Sequence, residues 1–149
     1  MGKCSAVRIL ADLVSAKSLD FCFPMKKLCD KRKLEGIKRR LGFDYFLSVD
    51  SVGRSRGLGF MWKGSMKLRV AGYSQNHIDV IFLDDEGNDW WRFTGYYAYP
   101  EKTRKREARE FLKARFWDYL LPWCVGGDFN DIISEAEKCG RLDRESWML

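Results

Sequence analysis

Apolar positions along this chain change rhythm several times, and each rhythm predicts an element. Val7, Leu10, Leu13 and Val14 recur at helical spacing, which predicts an amphipathic helix over about residues 5–16. The short apolar run Leu19 to Phe23 predicts a buried strand. Leu34, Ile37 and Leu41 mark a second helix with a basic opposite face, and Gly42 is suited to end it in the left-handed conformation. From there the spacing shortens to two. Strands are predicted at Tyr45–Val49, Leu58–Trp62, Lys67–Tyr73, His77–Leu83 and Asp89–Tyr97, with alternation clearest at Ile78, Val80 and Phe82. Asp84-Asp85-Glu86-Gly87-Asn88 reads as a hairpin turn, and residues 53–57 as another connection. Helical spacing returns from Thr103 to about Leu121, with Phe111, Leu112, Phe116 and Leu120 expected toward the core. Arg104, Lys105, Arg109, Lys113 and Arg115 fall largely outward, and Pro122 starts a last strand through Trp123, Cys124 and Val125. Hairpins with covering helices point to α/β layers, a sheet packed beneath helices.

Composition narrows the class. The 149 residues are 46% hydrophobic and 15% aromatic, which argues against disorder and predicts one domain over residues 1–149. No apolar run approaches the roughly 20 residues that span a bilayer. Lys3, Arg8, Asp12 and Lys17 interrupt the N-terminal apolar residues, so secretion and a membrane partner are not expected. Met1-Gly2 invites comparison with a myristoylation signal, but Ala6 stands where Ser or Thr is wanted. The five cysteines, Cys4, Cys22, Cys29, Cys124 and Cys139, are irregularly spaced and form no Cys-x-x-Cys pair. With a single histidine beside them, they argue against a zinc site and for a reducing cytosol or nucleus.

A formal charge of +6 admits a polyanion partner. Basic residues cluster at Lys26, Lys27, Lys31, Arg32, Lys33, Lys38, Arg39 and Arg40, and again at Lys102, Arg104, Lys105, Arg106 and Arg109. Such clusters can neutralise phosphates without reading sequence. A solvated helix face, locally paired by Glu35, Glu107 and Glu110, accounts for them equally well.

Candidate chemistry concentrates at Val125-Gly126-Gly127-Asp128-Phe129-Asn130, at the end of the last apolar strand. Residues two apart in extended backbone share a face, so Asp128 and Asn130 would emerge side by side. One can orient a water or help to hold a hard cation, and the other can donate to a phosphate oxygen. The simpler reading is a turn, for which Gly, Asp and Asn are common.

Gly127-Asp128-Phe129-Asn130 resembles the signature of the endonuclease/exonuclease/phosphatase superfamily, and the flanking text resembles the endonuclease domain of plant-type non-LTR (LINE-like) retrotransposons. Collinear blocks carry the resemblance from about Ala6 to Arg141: Leu41-Gly42-Phe43-Asp44, Val49 to Ser55, Gly57-Leu58 with Met61-Trp62-Lys63, Asn76 to Val80, Trp91 to Tyr97, and Pro122-Trp123. It implies a partial four-layer α/β sandwich of DNase I type, with a mixed, largely antiparallel sheet covered by helices. It also implies Mg²⁺-dependent phosphodiester hydrolysis, with DNA the favoured nucleic acid. By resemblance Asp128 orients or deprotonates the water, Asn130 contacts the phosphate, and the Tyr97 hydroxyl reaches the scissile group. The alternative for Tyr97 is a strand aromatic packed in the core.

Two departures from the pattern lower the expected activity. Where the resemblance asks for a metal-binding glutamate, the chain reads Phe23-Pro24-Met25-Lys26-Lys27-Leu28, without an acid. A protonated lysine offers a cation no lone pair, so the magnesium site is expected to be incomplete. The asparagine-bearing first strand and the terminal Asp-His pair are also missing, and His77, in a strand far upstream, reads as structural. The expectation is a truncated, catalytically impaired endonuclease domain. The alternatives are a non-catalytic basic nucleic-acid-binding remnant and a partial gene model of an active enzyme. Loss of the second half would leave the first sheet's apolar face without a partner layer, with six tryptophans and ten phenylalanines to cover. Oligomeric state is left open.

Overall fold

Where the helical rhythm runs, the chain forms α1 (Gly2–Lys17), α2 (Lys31–Leu41) and α3 (Lys102–Arg115). Period-two stretches form β1 (Phe21–Cys22), β2 (Tyr45–Val49), β3 (Leu58–Trp62), β4 (Leu68–Tyr73), β5 (His77–Leu83), β6 (Asp89–Tyr97) and β7 (Trp123–Asp128). The computed structural model describes residues 2–25, 31–50, 57–98 and 102–128. Gly42 closes α2 at φ 79°, while the Gly42 amide donates to the Arg39 carbonyl and the Phe43 amide to that of Lys38. Both bonds belong to the left-handed cap expected for glycine there.

The strands make two sheets. One has the order β1-β3-β2, all antiparallel, and the other the order β4-β5-β6-β7. In the second sheet only β7 runs parallel to its neighbour, β6. Alternation then decides which face is buried. Val49, Leu58 and Phe60 from the first sheet meet Ile78, Val80, Phe82, Phe93 and Tyr97 from the second in one core. Phe21 sits among them, its ring 5.2–6.2 Å from those of Phe60, Phe82, Trp91 and Phe93. Helices α1 and α2 cover the outer face of the first sheet through Val14, Leu34, Ile37, Leu41, Phe43 and Met61. On the second sheet, Ala108 and Phe111 of α3 pack against Tyr96 and Ala98. The result is an α/β/β/α sandwich, mixed but largely antiparallel, as the resemblance implied.

Four expectations need correction. The first sheet is not left without a partner layer: the four-stranded sheet buries Leu58, Phe60, Ile78 and Val80 completely. Helix α3 stops at Arg115 rather than near Leu121, leaving Phe116 54% and Leu120 91% exposed. It stops there because the Arg115 carbonyl is taken by the Arg92 guanidinium (2.8 Å) and by the Asp118 amide (3.2 Å). The strand at Leu19–Phe23 shrinks to the two residues that pair with β3, followed by an isolated bridge from Met25 to Leu58. Leu13 turns outward, since the stripe of α1 that reaches the core is Val7, Leu10, Ala11 and Val14. Among the described residues no helix is long and apolar enough to cross a membrane.

Candidate functional site

Strand β6, helix α3 and strand β7 form a βαβ unit, the connection that parallel neighbours require. Its register pairs Arg92 with Trp123 at one end and Tyr97 with Asp128 at the other. Two of the three residues singled out from the sequence are therefore strand neighbours, at the carboxyl ends of parallel strands where open α/β sheets gather ligands. Register partners project from the same face, here the one turned toward the first sheet. Asp128 is half-buried, and Tyr97 is 4% exposed and packed into the intersheet core. Asn130 lies outside the described residues.

Backbone hydrogen bonds hold this end together. The Ala98 amide donates to the Asp128 carbonyl (2.7 Å), and the Tyr97 amide to the Asn76 carbonyl (2.7 Å). Asn76 returns a bond from Nδ2 to the Tyr97 carbonyl (3.1 Å). Gly127 adopts φ 138°, and a Cβ there would collide with the Tyr96 carbonyl oxygen. That position needs glycine twice, for the left-handed backbone and for the close approach of β7 to β6.

The first sheet contributes little polar chemistry to this end. Phe23 lies over Gly95, where a Cβ would meet its ring at 2.6 Å; Pro24 is buried, and Met25 packs into the core that holds Tyr97. Exposed Asp50, immediately after β2, is a carboxylate at the same end that sequence reasoning did not single out. Lys26 and Lys27 lie outside the described residues. Magnesium demands near-octahedral oxygen ligation. Among the described residues, a thioether, a core-packed phenol, half-buried Asp128 and exposed Asp50 do not make up that donor set. Among the described residues no three of His, Cys, Asp or Glu converge on one point.

The opposite face of the second sheet holds a polar network that sequence reasoning missed. Arg92 Nε donates to both Asp79 oxygens (2.9 and 3.1 Å), and Nη2 donates to Oδ2 (2.7 Å). Thr94 Oγ1 donates to Asp79 Oδ1 (2.9 Å) and accepts from the Trp123 indole N–H (2.9 Å). The Arg92 guanidinium also lies over the rings of Trp123 (4.5 Å) and Tyr119 (5.1 Å). One chain of contacts thus ties β5, β6, β7 and the end of α3, fixing the register that sets Asp128 beside Tyr97. The available signal was that these residues fall in the blocks Asn76 to Val80, Trp91 to Tyr97 and Pro122-Trp123. His77 occupies the same face, hydrogen-bonded through Nδ1 to Ser74 Oγ, with its ring tilted against that of Phe111 at 4.6 Å. Burial, opposed by Asp79 and reinforced by Arg115 and Arg92, holds its pKa below the ordinary value of 6.5.

Compared with other proteins, the chain matches no protein-family model and no curated protein. Solved structures do match. An endonuclease/exonuclease/phosphatase family protein from Bacteroides thetaiotaomicron aligns with TM-score 0.64 and 15% identity, over 88% of this chain and 57% of that one. A mannosyl-6-phosphatase from the same organism gives 0.63 and 16%, over 87% and 58%. D. rerio TDP2, complexed with a single-strand DNA product, gives 0.63 and 15%, over 92% and 57%. The chain therefore spans somewhat more than half the length of the solved chains it matches. At such low identity these likenesses speak to architecture, and the architecture of this chain is the endonuclease/exonuclease/phosphatase, DNase I-like fold.

Proposed function

We propose that this chain is part of a phosphodiesterase domain of retrotransposon-endonuclease type, which engages nucleic-acid phosphates at the end of the sandwich and hydrolyses them poorly. The observation that carries the reading is the register pairing of Tyr97 with Asp128 at the carboxyl ends of β6 and β7. An aspartate there can orient or accept a proton from an attacking water, while Asn130 and the Tyr97 hydroxyl supply donors to phosphate oxygens. Hydrolysis also needs the developing negative charge on the phosphate to be neutralised. The stretch Phe23 to Leu28, with Lys26 and Lys27 and no acid, stands where the resemblance asks for the metal-binding glutamate. Impairment follows from that donor set, and DNA is the favoured substrate on the resemblance.

Plasmid nicking by the purified chain in Mg²⁺, alongside Asp128→Ala, tests the reading. Expected is nicking no faster than that of the variant. Robust nicking abolished by Asp128→Ala would overturn the impairment and keep the site, whereas a folded chain with no affinity for DNA or phosphate would remove the site.

A second reading has its own support. Helix α2 exposes Lys31, Arg32, Lys33, Arg39 and Arg40, and Glu35, its sole acid, pairs with Arg39 at 3.4 Å. Such a face suits phosphate contact without base readout. It predicts salt-sensitive nucleic-acid binding that survives Asp128→Ala and falls when Lys31, Arg32 and Lys33 are changed to glutamine.

A further inference from the structure

On the outer face of the second sheet, between β4 and the turn after α3, lies a depression of about 470 Å³ lined by Ala71, Gly72, Tyr73, His77, Asp79, Arg115, Asp118 and Tyr119. Its origin is local. The register of β4 slips between Val70 and Gly72, which sets Gly72 opposite Asp79, and a Cβ built on Gly72 meets nothing within 4 Å. Helix α3 ends at Arg115, so neither strand nor helix fills the space above Asp79.

Charge bookkeeping selects what this space can hold. Both Asp79 oxygens are taken by Arg92 and Thr94, so its charge is already compensated. His77 is buried against Phe111, and burial favours its neutral ring. The remaining formal charges, Arg115 and Asp118, lie 3.5 Å apart and cancel. A lined site with no net charge suits neither a free phosphate nor a metal ion. Its contents are a guanidinium donor beside a carboxylate acceptor, with Phe111 5.2 Å beneath the Arg115 guanidinium, and the half-buried ring of Tyr119, which packs 5.1 Å from the Arg92 guanidinium. Flat aromatic surface next to a paired donor and acceptor is complementary to a planar, uncharged heterocycle.

We infer that this depression is a nucleobase pocket with a preference for guanine. The guanine carbonyl O6 would accept from Arg115, and its N1–H and N2–H would both donate to the Asp118 carboxylate; the other bases offer that carboxylate fewer adjacent donors. A volume of about 470 Å³ falls within the range of small-ligand sites and admits a base with part of its sugar. The pocket faces away from the Tyr97–Asp128 pair, so the inference stands apart from the phosphodiesterase reading.

The test is titration of the full chain with guanosine 5′-monophosphate, the adenine, cytosine and uracil mononucleotides, inorganic phosphate, and a single-stranded dT-dG-dT trinucleotide. Expected is saturable binding of the guanine nucleotide below about 1 mM, unmatched by phosphate. Asp118→Asn should weaken it about tenfold and flatten the base preference, as loss of a charged acceptor does. Gly72→Leu, filling the open space, should abolish it, while Asp85→Asn, in the exposed hairpin turn, should leave it unchanged. Trinucleotide binding as tight as that of the mononucleotide would assign the pocket to a base presented by a strand; mononucleotide binding alone would assign it to free nucleotides. Binding equal to that of phosphate, or unaltered in folded Asp118→Asn, would overturn the inference; should Gly72→Leu not fold, Asp118→Asn alone decides.

Discussion

Replacing Asp79 by alanine should be among the most damaging single changes to this fold. The Arg92 and Asp79 side chains are only 2% and 9% exposed, and the substitution leaves the guanidinium buried with its bond to the Arg115 carbonyl and two aromatic faces. Thr94 loses its acceptor as well. Breaking one partner of a buried pair typically costs about 3–5 kcal/mol, because an uncompensated charge remains. For a domain of this size that corresponds to a melting-temperature drop on the order of 10–15 °C. The internal control is Arg69–Asp89, a 2.9 Å pair with side chains 45% and 40% exposed, where Asp89→Ala should cost about 0.2–1 kcal/mol. Urea denaturation followed by circular dichroism measures both. Asp79→Leu combined with Arg92→Met should cost less than either single change, since apolar replacements remove the stranded charge. If Asp79→Ala proved no worse than Asp89→Ala, Arg92 would not depend on this carboxylate, and the network could not be what fixes β7.

Other consequences are equally open to measurement. Gly127→Ala should destabilise by about 1–3 kcal/mol from backbone strain alone, and by more from the collision with Tyr96. Gly36→Ala, with open space around its Cβ within α2, should instead stabilise by about 0.5–1 kcal/mol, so paired thermal melts should show opposite signs. His77 has a folded pKa below 6.5, so the unfolded chain binds its proton first. Stability should hold above pH 6.5 and fall as pH drops through the depressed value, and His77→Gln should remove that part of the slope. Burial pushes the Cys22 thiol up to about 11, whereas Cys124 is exposed. In a variant keeping only these two cysteines, iodoacetamide at pH 8 should label Cys124 and spare Cys22; equal rates would contradict that burial.

Much of the architecture was legible because its period matches its burial. Alternation at Ile78, Val80 and Phe82 predicted a strand with one core face, and that face is the one in the sandwich. Gly42 announced the end of α2 by local chemistry alone. The end of α3 was not legible in this way, because Phe116 and Leu120 continue the helical spacing, while the Arg115 carbonyl is held at 2.8 Å by Arg92, a residue distant in sequence. The Asp79–Arg92 pair escaped for a related reason. A charged residue at an outward strand position reads as solvated, and nothing local shows that Trp123 and Tyr119 will close over its partner. At the site, the Gly-Asp-Phe-Asn string was visible, but its pairing with Tyr97 depends on a parallel register that tertiary contacts set.

The motif carries two kinds of constraint, and separating them says how it could outlast activity under the proposed reading. Gly127 is required by its φ and by the Tyr96 carbonyl, whatever the chain catalyses. Gly126 faces Gly95 across the strand pair, and a Cβ there would press on Phe93 at 3.3 Å. Asp128 meets the ladder through its carbonyl, which accepts from the Ala98 amide, and any residue supplies a carbonyl. Strand pairing therefore demands the glycines but does not by itself choose a carboxylate at position 128. Under the proposed reading, a copy that lost its metal-binding acid would keep Gly126 and Gly127 for folding, whereas Asp128 would answer to the chemistry proposed at the strand end. Phosphate engagement is the property for which that aspartate, beside Tyr97, is the more informative probe.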